Sequence, residues 1–205
     1  MRGILAVMLS LLLLSGCAAP SGEASSRPAA APAAQAENMS TSMVESSARP
    51  LPEAEILAAY ELAQRVYGWF DLAPLPLSGE SVVLDGTVYY RVNVCGIEDL
   101  EDLRAYLRGV FSQELTDRLL DGGGRIRYRS VQGILYASGE GREPDAGKGR
   151  ALVEAERLAE DLYSVNVMVE LLAEDGGTVV GLESWSFPYA FVEDRWVFTD
   201  FRLTA

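Results

Sequence analysis

The chain has 205 residues, of which 30 are acidic and 17 basic, so its formal net charge is −13. This charge argues against binding to nucleic acid and against a folded surface that lies on anionic lipid. The sequence has no histidine, which excludes Ser-His-Asp and Cys-His chemistry and the usual histidine-bearing zinc sites. The acidic balance suits either a basic partner surface or solubility alone.

The first sixteen residues have the layout of a secretory signal. A basic second residue precedes an apolar run from Ile4 to Leu14, which is shorter than the roughly 20 apolar residues of a membrane-spanning helix. Residues 14–17 (LSGC) resemble the bacterial lipobox, in which a peptidase cuts before a lipid-bearing cysteine. We therefore expect a signal peptide over 1–16 and a lipid anchor on Cys17, with the rest of the protein extracytoplasmic at the cell membrane.

The next segment, residues 17–50, begins with the lipidated cysteine and consists mostly of Ala, Pro, Ser and Glu. Such a composition cannot bury enough apolar surface to offset its chain entropy, so it predicts a disordered linker. Residues 51–205 suit a single domain with its own core.

The domain is predicted to open with a helix and a hairpin. Apolar residues from Ile56 to Phe70 recur at three- and four-residue steps, which predicts an amphipathic helix of about five turns that begins near Pro52. Residues 81–84 and 87–94 alternate on either side of Asp85-Gly86, which is typical of a β-hairpin. Cys95 follows this strand pattern and is predicted to be a buried structural thiol.

Two shorter helices are predicted next. Leu100, Leu103, Leu107 and Val110 form one helical stripe behind an acidic first turn, and Ser112 is a suitable N-cap for a further helix up to residue 121.

The remainder predicts antiparallel strands. Residues 125–131 alternate, with three arginines on the face opposite Ile126 and Tyr128. The other predicted strands cover residues 134–137, 151–161, 163–172, 178–186, 189–192 and 195–203. Most of them are rich in Val, Tyr, Trp and Phe, which favour strands. The segment 151–161 is ambiguous between helix and strand, and we prefer a strand.

A polar loop from Gly139 to Arg150 separates two of these strands. Loops of this length in compact domains are often functional, although an insertion without a role is the alternative. Five of the six charged residues of this loop are the predicted partner-binding residues, namely Glu140, Arg142, Glu143, Asp145 and Lys148.

The order of elements predicts an α+β domain, with N-terminal helices packed on a curved antiparallel sheet. The dense aromatics at 67–70 and 196–201 are expected mainly in the core, and a partly aromatic groove is the alternative.

A resemblance to a known family rests on six segments spread over nearly the whole domain, residues 67–77 (YGWFDLAPLPL), 89–92 (YYRV), 102–107 (DLRAYL), 111–115 (FSQEL), 133–136 (GILY) and 195–201 (RWVFTDF). In this order they resemble the DL-endopeptidase inhibitor family of Gram-positive bacteria. The resemblance implies a cystatin-like or nuclear-transport-factor-2-like fold. It also implies a secreted protein that inhibits cell-wall cysteine peptidases by inserting a loop between strands into the enzyme cleft. We expect the chain to be a monomer. The lipid anchor departs from the freely secreted members.

Three functions follow as hypotheses. The first is a lipid-anchored inhibitor whose partner is a cell-wall DL-endopeptidase, with no cofactor, metal or catalytic residue. The second is a module that binds a small ligand on the concave face of the sheet. The third is an isomerase- or dehydratase-like enzyme with Asp or Tyr as acid and base, which needs a buried carboxylate facing a cavity.

Overall fold

The computed structural model describes residues 48–122 and 126–204. Contacts divide the chain into Met1–Met43 and Val44–Ala205, and every described residue lies in the second unit. The predicted signal peptide, the lipid site Cys17 and the predicted linker up to residue 47 lie outside the described residues. None of the helices in the described part is long and apolar enough to cross a membrane.

The first helix is found where the apolar spacing predicts it. Helix α1 spans Glu53–Asp71, and Pro52 stands at its N-cap in extended backbone, which the fixed φ of proline allows. The buried face of α1 includes Ile56, Tyr60 and Ala63.

The first sheet has four antiparallel strands in the order β1-β2-β4-β3, with β1 at Leu77–Leu84, β2 at Thr87–Val92, β3 at Tyr128–Val131 and β4 at Ile134–Ser138. The predicted hairpin is confirmed, since β1 and β2 are joined by Asp85 and Gly86 at φ values of 51° and 81°. Both values are positive, as a tight hairpin turn requires, and this favours Asp-Gly.

Two short helices, both predicted, connect β2 to β3. Helix α2 spans Leu100–Arg108, and the Asp99 carboxylate at its N-cap accepts hydrogen bonds from the backbone N–H of Glu101 and Asp102. Helix α3 spans Gln113–Asp121, and the hydroxyl of Ser112 accepts from the N–H of Leu115. These side chains satisfy N–H groups that have no partner inside the helix.

The second sheet contains strands β5-β6-β7-β8 in sequence order, with β5 at Lys148–Ala159, β6 at Leu162–Leu172, β7 at Val179–Val192 and β8 at Arg195–Phe198. The strand preferred over a helix at 151–161 is confirmed as β5, which ends at Ala159. Long cross-strand pairing with β6 outweighs the local helical preference of its Ala, Glu, Leu and Arg residues.

Two strand predictions in this sheet are wrong. Residues 178–186 and 189–192 form one continuous strand, β7, which runs through Pro188. The backbone groups of Pro188 face the β8 side, where its carbonyl accepts from Thr199 N at 3.1 Å, one residue past the end of β8. Proline is tolerated there because its missing N–H removes a single hydrogen bond at the end of the β7–β8 ladder. The strand predicted over 195–203 ends at Phe198, and Phe201 turns into the core, where it is 3% exposed.

Helix α1 packs on both sheets and fills the core between them. Tyr60 stacks on Phe187 of the second sheet with ring centroids 6.2 Å apart, and Phe70 meets Tyr128 of the first sheet at 5.1 Å. The predicted α+β class, with helices on antiparallel sheet, is confirmed, and so is the core role of the aromatics. The division into two four-stranded sheets was not predicted.

Cys95 corrects a further prediction, because it is exposed rather than buried. Strand β2 ends at Val92, and the chain then turns between Val94 and Ile97, which form an isolated bridge. Gly96 has φ 81° in this turn. Cys95 therefore stands on the turn and not on a strand face directed at the core.

Candidate functional site

The connecting loop, residues 139–147, joins β4 of the first sheet to β5 of the second. It contains four of the five residues predicted to bind a partner, Glu140, Arg142, Glu143 and Asp145, and all four are exposed. The fifth, Lys148, is the first residue of β5. The predicted loop of 139–150 is therefore three residues shorter in the structure.

The connecting loop lies directly against the carboxyl end of α1. A Cβ atom built on Gly141 would stand 1.5 Å from the carbonyl oxygen of Leu72, so only glycine allows this approach. Arg142 donates its backbone N–H to the Asp71 carbonyl at 3.1 Å, and its Nε lies 2.7 Å from Asp71 Oδ2. One backbone bond and one ion pair thus fix the loop to the helix.

Arg127 supports the same helix end from inside the protein, although its alternation with Ile126 and Tyr128 predicted a polar face. It is only 3% exposed. Its Nε donates to the Trp69 carbonyl at 3.2 Å and its Nη2 to the Leu72 carbonyl at 3.1 Å. A guanidinium at this position satisfies carbonyls that lack a partner at the end of a helix and complements the negative end of the helix dipole.

One sequence signal could have indicated this role of Arg127. The last turn of α1 contains no basic residue, whereas helices often carry a cation there. A cation from elsewhere in the chain was therefore a reasonable expectation. The alternation pattern of 125–131 could not show it, because β3 begins only at Tyr128 and Arg127 precedes the regular strand.

Tyr128 completes the buried side of this junction. Its hydroxyl donates to the Trp69 carbonyl at 3.2 Å and accepts from the Leu75 N–H at 3.0 Å. Burial raises the pKa of Tyr128 to about 12, because the phenolate would be cut off from water. The neutral Tyr128 side chain therefore links the Trp69 carbonyl to the Leu75 N–H through its hydroxyl. We call Asp71, Leu72, Arg127, Gly141 and Arg142 the loop–helix junction.

The far end of the connecting loop is fixed to the second sheet. Asp145 accepts from the N–H of Gly147 through its side chain at 2.9 Å and from the N–H of Lys148 through its carbonyl at 3.0 Å. Leu172 N donates to the Gly147 carbonyl at 2.8 Å. The Lys148 ammonium forms an ion pair with Glu183, and its side chain is 18% exposed. Lys148 thus anchors the loop rather than standing at its tip.

The loop presents an acidic tip, residues 143–146, which begins after Arg142 and includes Asp145 of the second anchor. Glu143 and Asp145 are exposed there on either side of Pro144, which restricts the backbone. The basic residue next to the tip, Arg142, is paired with Asp71. The tip therefore offers carboxylate and carbonyl oxygens, and it suits a partner that presents hydrogen-bond donors or positive charge.

The inner face of the second sheet, proposed as an alternative ligand site, is filled by the protein's own side chains. Val165, Val167 and Phe187 on this face are buried in the core together with Tyr60 and Ala63 of α1. Two clefts in the described part of the chain are open surface depressions. One of about 420 Å³ lies beside α3, and another of about 530 Å³ lies near Cys95.

Within residues 48–122 and 126–204, no group of three acidic or cysteine side chains is arranged to hold a metal ion. No protein-family model matches the chain, and no curated protein matches it either. The candidate site is therefore defined by its own geometry, which is a short acidic loop tip held between two rigid anchors.

Proposed function

We propose that the protein is a lipid-anchored, extracytoplasmic inhibitor of peptidoglycan DL-endopeptidases that acts by occluding the enzyme cleft. In this proposal Cys17 carries the lipid, residues 17–50 tether the domain, and the tip of the connecting loop enters the cleft. The partner is a protein, no cofactor takes part, and the protein itself catalyses no reaction.

The observation that carries the proposal is the fixation of the connecting loop at both ends. Gly141 and Arg142 hold it to α1, and Gly147 and Lys148 hold it to the second sheet. A loop that is already ordered loses little conformational entropy when it binds, so more of its contact energy appears as affinity. Inhibitors that occupy protease clefts with little backbone movement depend on such preorganisation.

The sequence supports the same proposal in two ways. The segments that resemble the DL-endopeptidase inhibitor family include residues 67–77, which end α1 and contain Asp71 and Leu72 of the junction. The chain also has no histidine to serve as a base near neutral pH, which favours a protein that occupies a partner over one that turns over a substrate.

The direct test is a peptidoglycan digestion assay with several purified DL-endopeptidases. The soluble protein is the mature chain with Cys17→Ser, and we expect it to slow digestion at stoichiometric amounts. Replacement of 143–146 by Gly-Ser-Gly-Ser should weaken inhibition at least tenfold, while the thermal midpoint stays close to the parent value. Arg195→Ser, an exposed change on β8, is the matched control and should inhibit normally.

Two outcomes would count against the proposal. Unchanged digestion by every enzyme, with the protein in excess, would dismiss inhibition. Full inhibition by the 143–146 variant would keep the activity but move the contact surface away from the connecting loop. The lipid anchor is tested separately, since Cys17→Ser should release the protein from the membrane fraction.

A further inference from the structure

The second sheet has two edges that differ in their partners. On the β8 edge, Phe198 forms a parallel bridge with Phe111. Phe198 N donates to the Val110 carbonyl at 3.0 Å, and Ser112 N donates to the Phe198 carbonyl at 2.9 Å. On the opposite edge, β5 has β6 on one side and, in the part of the chain that the structure describes, no strand on the other.

The hydrogen bonds of the sheet determine which backbone groups of β5 are free. Phe191 N donates to the Asp161 carbonyl at 2.8 Å, in the same register as the β6–β7 pairs. Because hydrogen-bonding sides alternate along an antiparallel strand, odd-numbered β6 residues direct their N–H and C=O groups to β7. Even-numbered β6 residues such as Met168 therefore direct theirs to β5.

Leu152 of β5 is paired with Met168, so the backbone of Leu152 bonds to β6. The backbone groups of its neighbours Ala151 and Val153 consequently point away from the sheet, toward the open edge. A 12-residue strand with free N–H and C=O groups is a template on which another strand can pair.

The side chains around Leu152 decide which strand would fit. On the sheet face turned away from α1, the exposed residues are Arg150, Leu152 and Glu154 in sequence. Among the described residues, neither Arg150 nor Glu154 has an ion-pair partner. Leu152 is 48% exposed although it is a large apolar residue. The edge thus has an apolar centre with a positive charge on one side and a negative charge on the other.

Such an order is self-complementary for antiparallel pairing. If Leu152 faces Leu152 of a second copy, Arg150 of each copy stands opposite Glu154 of the other. In the same register Ala151 stands opposite Val153, and both have their hydrogen-bonding groups directed outward. A shift by two residues in either direction, which gives the next registers that the free backbone allows, would place Leu152 against Arg150 or Glu154 and lose the apolar contact.

We propose that two copies of this chain associate through their β5 edges about a two-fold axis at Leu152. The two second sheets then form one antiparallel sheet of eight strands, and the interface is isologous. This departs from the monomer expected from the sequence, and it is independent of the proposed inhibition. Because each copy has a net charge of −13, association should be stronger at physiological salt, where long-range repulsion is screened, than at low salt.

The test is sedimentation velocity over a range of protein concentrations at about 0.15 M salt, on the mature chain with Cys17→Ser and with a reductant to keep Cys95 reduced. The parent should form a reversible dimer. Arg150→Glu and Glu154→Arg should each weaken the dimer at least tenfold, because each places two like-charged pairs across the axis. An equimolar mixture of these two variants should form a heterodimer, since both pairs again join opposite charges.

Arg195→Glu is the control, with the same charge change on β8, and should leave the dimer unchanged. Ala151→Pro provides a second probe, because it removes an outward N–H without affecting the bonds to β6, and it should also weaken the dimer. Thermal melting checks that each variant is folded. A monomeric parent at every concentration would overturn the proposal, and so would a dimer that persists in both charge variants or a mixture that stays monomeric.

Discussion

The carboxyl end of α1 is held from two sides that differ in their contact with water. On the buried side, Arg127 and Tyr128, each 3% exposed, supply side-chain hydrogen bonds to the Trp69 carbonyl. On the exposed side, Arg142 pairs with Asp71, and these side chains are 42% and 38% exposed. Both sides position the same turn of helix with similar bond lengths.

Because of this difference, we expect the two sides to affect different properties, the stability of the domain and the position of the connecting loop. A buried carbonyl that loses its donor pays the full cost of desolvation, whereas an exposed one finds water instead. The buried side should therefore determine how stable the domain is. The exposed side should determine where the acidic tip of the connecting loop points, with little effect on the free energy of unfolding.

The largest expected effect is that of Arg127→Met. This change removes the Arg127 donor from the Leu72 carbonyl and one of two donors from the Trp69 carbonyl, which keeps the Tyr128 hydroxyl. We expect a loss of about 3 kcal/mol in the free energy of unfolding, because both lost bonds come from a charged group that is almost fully buried. Arg129→Met is the matched control two residues away, since its side chain is 36% exposed and pairs with Asp85 at 3.4 Å. That control should cost less than about 1 kcal/mol. Denaturant titration measures the free energy of unfolding of both variants. Equal losses would contradict the claim that the buried side of the junction determines stability.

Alkaline pH should destabilise the protein through Tyr128. Its pKa rises from 10.0 to about 12 in the folded state, so the stabilisation is complete below pH 10 and is lost as pH rises to about 12. The loss corresponds to about 2–3 kcal/mol. Tyr128→Phe should be less stable than the parent near neutral pH but should lose less stability over that window. Tyr189, whose pKa burial also raises to about 12, leaves a residual slope in the variant.

Chemical denaturation at several pH values between 9 and 12 measures this effect of Tyr128. Parallel curves for the parent and for Tyr128→Phe would show that the phenol does not ionise on unfolding, contrary to the expectation.

Gly141→Ala should have the next largest effect, because the new methyl group would meet the Leu72 carbonyl and force the connecting loop away from α1. We expect a loss of about 2 kcal/mol, which is typical of overpacking. Gly139→Ala is the control within the same loop, since its nearest contact would be the Tyr90 ring at 3.7 Å. Thermal unfolding compares the two variants. If Gly141→Ala is as stable as Gly139→Ala, the connecting loop can move away from α1 at little cost.

The sequence predicts the parts of the fold that local chemistry determines. The spacing of apolar residues places α1, Asp85-Gly86 places the first hairpin, and Ser112 places the start of α3. Each of these signals acts within a few residues, so no knowledge of distant neighbours is needed.

The sequence-based predictions are wrong where contacts between residues far apart in the sequence determine the structure. Arg127 alternates like a surface residue, but its guanidinium satisfies carbonyls more than fifty positions away in α1. Pro188 looks like the end of a strand, but its missing N–H lies at the end of the β7–β8 ladder, where it removes only one hydrogen bond. The connecting loop was identified from its length and polarity. Its anchors at Gly141 and Lys148 depend on tertiary contacts that periodicity does not encode.

The smallest effect on stability is expected for the Asp71–Arg142 pair. A double-mutant cycle with Asp71→Ala and Arg142→Ala should give a coupling energy of about 0.2–1 kcal/mol, because both side chains are partly exposed to solvent. The same variants should nevertheless weaken inhibition several-fold, since the acidic tip loses one of its anchors. The equivalent cycle on Glu193 and Arg195, an exposed pair 2.9 Å apart on the second sheet, should give similar coupling and unchanged inhibition. Should both cycles change inhibition equally, or neither change it, the exposed side of the junction would have no special role in positioning the tip.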